Sequence, residues 1–300
     1  MSDWEDTFTS WAKGPGTTEQ AKCEHAESAI RKALAANERL ADMDISVFAQ
    51  GSYRNRTNVK QDSDVDICVR LNTTFFPEYP PGKTREDFGI GPGSITFRDY
   101  KSLVETALRD YFGSDTVHRG NKAFDIHANT YRVDADVVAT FEHRRYSGGR
   151  NPDGSHHYLS GIGFNTDGGK LILNWPDQAY DNGVQKHTAT GRRYKKLIRI
   201  FKRLRNLMQE ERIPAAENIA SCLIDALVWN VPDDRFGAET YGVDVRSVLA
   251  ITFNATLNDE TCSEWREASE LKFLFRGSQP WTREQAHAFL SAAWDYLGFE

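Results

Sequence analysis

The sequence predicts an α/β (α+β) core over residues 1–190 and a helical second lobe over residues 191–300. The short apolar runs Val47-Phe48 and Ile67-Cys68-Val69 have the composition of β-strands, and the apolar alternation of residues 131–141 predicts another strand. In the second lobe, by contrast, apolar residues recur at helical spacing. A chain of 300 residues can form one large hydrophobic core or two modest ones.

Helix and loop signals divide the core further. Thr17 and Gln20 have capping-box spacing, which predicts a helix through about Leu40 with an inward face formed by Ala26, Ile30, Ala33 and Leu34. Residues 72–98 are rich in proline and glycine, so we expect a long loop there. A last helix is predicted from Arg283 to Leu297.

The segment Gln50-Gly51-Ser52-Tyr53, followed by Asp64-Val65-Asp66, has the residues of a phosphate-binding and metal-binding site. Glycine lets the backbone approach a ligand, and a serine hydroxyl with backbone amides binds phosphate oxygens, so Gly51 and Ser52 are candidates for a triphosphate. Aspartates two apart on a strand share a face, and their oxygens suit Mg²⁺ or Mn²⁺. The alternative, a solvated acidic strand face, is weakened by the Gly-Ser turn.

A site that holds two metal ions needs a third carboxylate on a neighbouring strand. The segment YRVDADVVATF offers Asp134 and Asp136 on one face. We favour Asp136, because the apolar Val137-Val138 that follows indicates a buried strand leading away from the site. In this interpretation Asp64, Asp66 and Asp136 bind two ions, and Asp136 helps to deprotonate an attacking hydroxyl. Asp134 then has a supporting or purely structural role.

The second lobe begins with a basic amphipathic helix. Its apolar stripe includes Leu197, Phe201 and Leu204, and Lys195 lies on the flank, from which a lysine can reach phosphate. For most of the basic residues of this helix, a solvated face is the default expectation. Ser221 is predicted to begin the next helix, where it binds an anion or only caps the helix.

Composition narrows the class of protein and of partner. The net charge of −6 and the isoelectric point of about 5.8 argue against an extended nucleic-acid surface. No apolar run approaches membrane-spanning length, and the acidic N-terminus lacks the features of a signal peptide, so we expect a cytoplasmic protein without a membrane partner. The cysteines lack metal-binding spacing and are expected to be reduced packing residues: Cys23, Cys68, Cys222 and Cys262.

Motifs along nearly the whole chain resemble those of the bacterial cGAS/DncV-like nucleotidyltransferases, clade E. They are QGSYRNRTNVKQDSDVDI, GNKAFDIHANTYRVDADVV, NWPDQ, GRRYKKLIRIFKRLRN, NIASCLIDALVWNVP and AAWDYLGFE. The resemblance implies a polymerase-β-like nucleotidyltransferase core, two Mg²⁺ or Mn²⁺ ions, and a cyclic nucleotide signal that activates an effector protein in anti-phage defence. Residue by residue it implies triphosphate binding by Gly51 and Ser52, metal binding by Asp64, Asp66 and Asp136, and phosphate contacts from Lys195 and Ser221.

Departures from the motifs of the family's dinucleotide cyclases bear on the product. Ala139-Thr140 follows Val138 where these enzymes commonly have proline, and Gly168-Gly169 stands where uracil-reading members have asparagine. The sequence EHRRY at residues 142–146 resembles the pyrimidine-cyclase branch of phage-defence (Pycsar) systems. We therefore favour a pyrimidine mononucleotide cyclase that makes cyclic CMP or cyclic UMP with lyase-type release of pyrophosphate.

Other functions stay open at this point. The close alternative is a cyclic di- or trinucleotide synthase of the same family. From another class come a nucleotidyltransferase that modifies a protein and a non-catalytic nucleotide-binding regulator. The paired carboxylates and Ser52 argue against a site that only binds. Incubation with single nucleoside triphosphates, CTP or UTP first, distinguishes these functions.

Overall fold

The computed structural model describes residues 4–14, 16–59, 65–127, 134–277 and 279–300. Its strands are β1 Ile45–Ala49, β2 Val65–Glu78, β3 Val117–Arg119, β4 Phe124–Ile126, β5 Ala135–Arg150, β6 His156–Asn165 and β7 Leu171–Asn174. Its helices are α1 Trp4–Trp11, α2 Thr17–Ala35, α3 Glu38–Ala41, α4 Gly51–Asn55, α5 Phe97–Phe112, α6 Pro176–Ala189, α7 Tyr194–Glu210, α8 Ser221–Trp229, α9 Tyr241–Ala255, α10 Asp259–Cys262 and α11 Arg283–Tyr296.

These elements form two compact units, each assembled from separate segments. One unit holds the described residues of 16–53 and 63–176, and the other holds those of 1–15, 54–62 and 177–300. We call them the sheet unit and the helical unit. The division differs from the predicted boundary after residue 190, because α1, most of α6 and the segment after α4 belong to the helical unit.

The sheet unit is built on one mixed sheet with the strand order β1-β2-β5-β4-β3 in the described part of the chain. The long strand β5 pairs with β4 along its first residues and with β6 farther on, and β6 pairs with β7. One face of the sheet forms a hydrophobic core with α2 and α5, as the predicted inward face of α2 requires: Ala26, Ile30, Ala33 and Leu34 are all buried.

Local structure corrects the predicted bounds of α2. The N-cap is Gly16, and its carbonyl accepts the Gln20 N–H at 3.1 Å. The predicted capping box has Thr17 as the N-cap, so the helix begins one residue earlier than predicted. The helix ends at Ala35 and not near Leu40. A new short helix, α3, starts after Asn37, whose side chain accepts the N–H groups of Arg39 and Leu40.

The predicted loop over residues 72–98 is wrong in its first part. Strand β2 continues to Glu78, because after an irregularity between Leu71 and Phe75 it resumes pairing, with Phe75 opposite Glu142 in β5. Proline at position 77 is tolerated within this pairing. Composition indicated a loop, but pairing with a distant segment decided the structure.

The helical unit encloses a second hydrophobic core. Phe8 of α1 is fully buried there beside residues of α7, α9 and α11. The predicted last helix is confirmed as α11, with Leu297 as its C-cap. In the described part of the chain, no helix is both long and apolar enough to cross a membrane.

The cysteines are free thiols. Three of them are buried, as expected for packing residues: Cys23, Cys68 and Cys262. Cys222 is exposed, so its assignment as a packing residue is wrong. It lies in α8, on a different side of the helix from the buried Leu223 and Ile224.

Candidate functional site

The Gly-Ser turn lies at the end of β1, directly against Asp66. The N–H of Gln50 donates to the Asp66 carbonyl at 2.8 Å, and Gly51 has a φ of 61°. A Cβ atom on Gly51 would lie 3.1 Å from the Asp66 Cγ and closer still to its Oδ2. Ser52 follows as the second residue of α4. The turn is therefore shaped around one of the predicted metal ligands.

Asp66 and Asp136 are neighbours in the sheet. Strands β2 and β5 run parallel, with Asp66 in register with Asp136. The residues on either side, Val65, Ile67 and Val137, are buried in the core, so both carboxylates lie on the opposite face. Two carboxylates side by side against a glycine provide the hard oxygen donors that Mg²⁺ and Mn²⁺ prefer.

The third predicted ligand, Asp64, lies outside the described residues. Asp134 precedes β5: its carbonyl accepts the Val65 N–H at 3.0 Å, and its Oδ1 lies 3.9 Å from His127 Nδ1. Among the described residues, no group of three or more histidine, cysteine, aspartate or glutamate side chains is arranged to hold a metal ion. The described part of the site therefore has the pair Asp66 and Asp136, which fits a metal but does not enclose one.

Asp125 is a further acidic residue beside this pair that was not predicted from the sequence. In β4, which is antiparallel to β5, Asp125 lies opposite Asp136, so a row of aspartates crosses β2, β5 and β4. Strand β4 has only three residues, and no periodicity extends over so short a segment. The side chain of Asp125 is exposed.

Lys195 and Ser221 belong to the helical unit. Lys195 lies in the first turn of α7 with 6% of its surface exposed, and its Nζ lies 5.4 Å from the centre of the Tyr180 ring. Burial lowers the pKa of Lys195, and the nearby charges of Arg56 and Arg199 lower it further. A bound anion would stabilise the charged form of Lys195, because it offsets both the burial and the neighbouring positive charges.

His187 supports the backbone of Lys195. Its Nδ1 accepts the Lys195 N–H at 3.3 Å, which satisfies one of the free N–H groups at the start of α7. Burial lowers the pKa of His187 to about 4, assisted by the charges of Lys195 and Arg199. The imidazole is therefore neutral near pH 7, as an acceptor nitrogen requires.

Ser221 is the first residue of α8, and the N-cap is Ala220, so the alternative that Ser221 caps the helix is wrong. Its Oγ accepts a hydrogen bond from Arg205 Nη2 at 3.1 Å, and Arg205 Nη1 also donates to the Ile219 carbonyl at 2.7 Å. The serine hydroxyl is thus oriented by a buried guanidinium.

The expected solvated face of α7 is wrong for four of its basic residues. Lys195, Arg199, Lys202 and Arg205 are each at most 8% exposed. Three of them bind acceptors from other segments: Arg199 donates to the Ala12 carbonyl, Lys202 pairs with Asp225, and Arg205 donates to Ile219. Burial of the charges of these three residues is possible because each finds a partner.

Two departures that favoured a mononucleotide product have packing explanations. Ala139 and Thr140 are buried in β5, and Thr140 Oγ1 lies 3.1 Å from Cys68 Sγ. Gly168-Gly169 forms the turn between β6 and β7, where Gly169 has a φ of 83° and donates its N–H to the Thr166 carbonyl. A left-handed turn position favours glycine without any role in base recognition.

The EHRRY motif also forms structural contacts. Arg144 pairs with Glu142 at 2.7 Å, and Ser160 donates to the same carboxylate at 2.9 Å. His143 and Arg145 both contact Glu78, at 3.2 and 2.9 Å. The motif therefore ties β5 to β2 and β6.

Comparisons with known proteins agree with this architecture. A family model described as the cGAS/DncV-like nucleotidyltransferase C-terminal helical domain matches residues 181–298. The chain is 43% identical over 298 residues to the cyclic dipyrimidine nucleotide synthase CdnE of Legionella pneumophila, with 98% of each protein covered. It is 39% identical over 296 residues to the protein of the same name from Cecembia lonarensis, again with 98% of each covered.

A solved structure shows the same fold. It is that of the Rhodothermus marinus CdnE c-UMP-AMP synthase with Apcpp and Upnpp, which matches with a TM-score of 0.84 and 31% identity over 98% of this chain and 97% of that one. The mixed sheet and the helices are thus those of the cGAS/DncV-like nucleotidyltransferase fold, as the sequence motifs implied.

Proposed function

Because this chain belongs to the cGAS/DncV-like nucleotidyltransferase family, in its CdnE clade, and is a cyclic nucleotide synthase, we propose that it joins two pyrimidine nucleotides into a cyclic dinucleotide. The observation that carries the reaction is the in-register pair of Asp66 and Asp136 beside Gly51. The pyrimidine preference is supported by the relatives named cyclic dipyrimidine nucleotide synthase, which match over almost their full length.

The proposed residues act on two parts of the reaction, the triphosphate of the donor nucleotide and the attacking hydroxyl of the acceptor nucleotide. Gly51 and Ser52 bind the triphosphate of the donor nucleotide, and Lys195 and Ser221 contact its phosphates. Asp64, Asp66 and Asp136 would hold two Mg²⁺ or Mn²⁺ ions, which would stabilise the negative charge that develops during the reaction. A ribose hydroxyl of one nucleotide attacks the α-phosphorus of the other, a new P–O bond forms, and pyrophosphate leaves. A second attack of the same kind closes the ring and releases a second pyrophosphate. Asp136 helps to remove the hydroxyl proton.

A cyclic mononucleotide, cyclic CMP or cyclic UMP, is the second candidate product. It needs attack by the nucleotide's own 3′-hydroxyl on its α-phosphorus, with the same loss of pyrophosphate. The resemblance of EHRRY to the pyrimidine-cyclase branch favours it. We rank it second because the contacts of residues 139–140, 142–146 and 168–169 are accounted for by packing.

The test is incubation of the purified protein with each labelled nucleoside triphosphate alone and in every pair, with Mn²⁺, followed by phosphatase and mass spectrometry. We expect a phosphatase-resistant product with the mass of a cyclic dinucleotide, formed from UTP, from CTP or from the two together. A product of mononucleotide mass from one triphosphate establishes the second candidate. Label on a protein establishes protein modification, and the absence of any product leaves a nucleotide-binding regulator.

The control is the double variant Asp64→Ala with Asp66→Ala. We expect it to make no product while its melting temperature stays close to that of the wild type, since ligand carboxylates repel each other when no metal is bound. A fully active double variant contradicts the metal assignment.

The resemblance to this family supports a role for the product in signalling. We propose a signal in anti-phage defence, made in the cytoplasm, where nucleoside triphosphates are available, and sensed by a separate effector protein. Survival of cells that carry the chain with its neighbouring genes, compared with the double aspartate variant under phage challenge, tests this role.

A further inference from the structure

Arg56 is an exposed arginine four residues after Ser52. We propose that it is a further phosphate-binding residue, which contacts the triphosphate of the bound nucleotide together with Lys195, and that Arg199 positions it. This inference rests on the proposed function, because it assumes that Lys195 contacts phosphate.

The backbone of Arg56 is held in an uncommon conformation. Its φ is 56°, in the left-handed region that non-glycine residues seldom adopt. Arg199 Nη1 donates to the Arg56 carbonyl at 2.6 Å, while Nε and Nη2 of the same guanidinium donate to the Ala12 carbonyl at 2.9 and 2.6 Å. Backbone strain maintained by a buried side chain is a feature of functional positions.

The residues that follow fix the segment further. Thr57 and Asn58 are 2% and 1% exposed, and Lys202 Nζ lies 3.4 Å from Thr57 Oγ1. Arg56 is exposed although the next two residues are fully buried. The contacts of this segment therefore fix the backbone of Arg56, while its side chain lies at the surface.

The position of Arg56 on the helical unit brings it near Lys195. Arg199, which binds the Arg56 carbonyl, is four residues after Lys195 on α7, so the two side chains lie on the same face one turn apart. The positive charge of Arg56 contributes to the lowered pKa of Lys195. Two cations are thus held close to each other on one surface of this unit.

Charge compensation distinguishes Arg56 from its neighbour Arg54. Arg54 pairs with the carboxylate of Asp177 and lies over the Tyr180 ring. Across the described residues, the Arg56 side chain has neither an ion pair nor a hydrogen bond. Neighbouring cations without a carboxylate repel each other, and a polyanion relieves that repulsion. A triphosphate supplies the required charge, and guanidinium groups bind phosphate through paired N–H donors.

The test removes the guanidinium without straining the backbone. Arg56→Gly does so, because glycine adopts a left-handed φ freely. The matched control is Arg212→Gly. Arg212 is also exposed and has a φ of 58°, but it follows the C-terminal end of α7, whereas Lys195 lies in the first turn of this helix. The third variant, Arg56→Lys, keeps the positive charge but loses the paired donors.

Calorimetry measures the Kd of each variant for a non-hydrolysable UTP analogue and for UMP, with steady-state kinetics of product formation. We expect Arg56→Gly to weaken binding of the UTP analogue about tenfold and to raise KM similarly, with kcat and the Kd for UMP changed less than about twofold. Arg56→Lys should recover part of the loss. Arg212→Gly should match the wild type.

Two outcomes overturn the inference. If Arg56→Gly leaves the Kd for the UTP analogue unchanged, Arg56 does not contact the phosphates. If the variant loses affinity equally for the analogue and for UMP, the role of Arg56 is purely structural. Failure of the proposed function appears differently, as a wild-type protein that binds no nucleoside triphosphate and forms no cyclic product.

Discussion

At the scale of single residues, Gly51 has a structural requirement that its predicted role in phosphate binding did not include. From the sequence, glycine is expected at this position because it lets the backbone approach a phosphate. In the structure its left-handed φ disfavours a side chain, and the closeness of the Asp66 carboxylate leaves no room for one. The spacing from Gly51 to Asp66 predicted that both residues belong to one site, but the register of β1 against β2, which places them in contact, cannot be obtained from spacing alone.

Gly51→Ala should abolish activity with only a modest loss of stability. The new methyl group would displace the Asp66 carboxylate, whereas the left-handed backbone costs about 1–2 kcal/mol for a non-glycine residue. The control is Gly89→Ala, since Gly89 has a φ of 62° with open space around it. Product assays and urea unfolding should show similar destabilisation of both variants and inactivity of Gly51→Ala only. Equal activity of the two variants would contradict the close packing described for Gly51.

The variants Asp136→Asn and Asp134→Asn test whether the reaction depends on Asp136, which lies in β5, or on Asp134, which precedes this strand. Asp136 lies beside Asp66 in the ladder, while Asp134 lies near His127. We expect Asp136→Asn to lower kcat at least about a thousandfold and Asp134→Asn to lower it less than about tenfold. Single-turnover product assays with Mn²⁺ measure both. The reverse order of effects would assign the catalytic role to Asp134.

At the scale of elements, α7 shows where periodicity stops being informative. The apolar stripe of Leu197, Phe201 and Leu204 was predicted and is buried. The burial of its basic residues was not predicted, because their acceptors come from distant segments, among them the Ala12 carbonyl and the Asp225 carboxylate. A local pattern carries no information about such partners. The same limit explains β2, which continues beyond residue 72 only because β5 pairs with it.

Lys202→Met should destabilise the helical unit by about 3 kcal/mol, since it leaves the Asp225 carboxylate without its nearest cation. Lys202 Nζ lies 2.9 Å from Asp225 Oδ1, and the lysine side chain is 1% exposed. The double variant with Asp225→Asn should lose about 1–2 kcal/mol less than the sum of the single variants. Urea unfolding of all four proteins completes the cycle, and strictly additive losses would show that the pair contributes no coupling.

His187 should make stability depend on pH between about 6.5 and 4. Its pKa is lowered from 6.5 to about 4 in the folded protein, so the unfolded chain binds the extra proton first. Stability from this group is complete above pH 6.5 and is lost as the pH falls toward 4. Because the imidazole is only half-buried, we expect a loss of about 1–2 kcal/mol. Unfolding free energies from pH 7 to 4 should fall less steeply for His187→Asn, and parallel curves would contradict the assignment.

At the scale of the whole molecule, the fold class and the order of its parts were predictable, and the assembly of the parts was not. Apolar patterns identified sheet and helix regions correctly, because they report which faces are buried. They carry no information on the packing of α1. Phe8 of α1 and the following Ala12 complete a core whose other buried residues all come after residue 176. The predicted site residues likewise divide between the units, with Asp66 and Asp136 in one and Lys195 and Ser221 in the other.

Duplex DNA and duplex RNA should not activate this protein. The chain has a net charge of −6, and much of its basic helix α7 is buried, so few of these cations are available to a phosphodiester backbone. Initial rates of product formation should change less than about twofold when either duplex is added at low salt. A rate that rises with duplex concentration and falls again with added salt would contradict this prediction.

The way α4 divides between the units has a consequence for how this protein can be manipulated. The change from sheet unit to helical unit falls between Tyr53 and Arg54, inside a five-residue helix that carries Gly51 and Ser52. A fragment starting at residue 177 would lack Phe8, and one ending at residue 176 would keep α1 without the core that buries it. Neither half is a self-sufficient module, so a hybrid joined at that point must pack α1 of one relative into a core supplied by the other. Exchanges confined to exposed turns within one unit, such as residues 151–155, keep both cores whole.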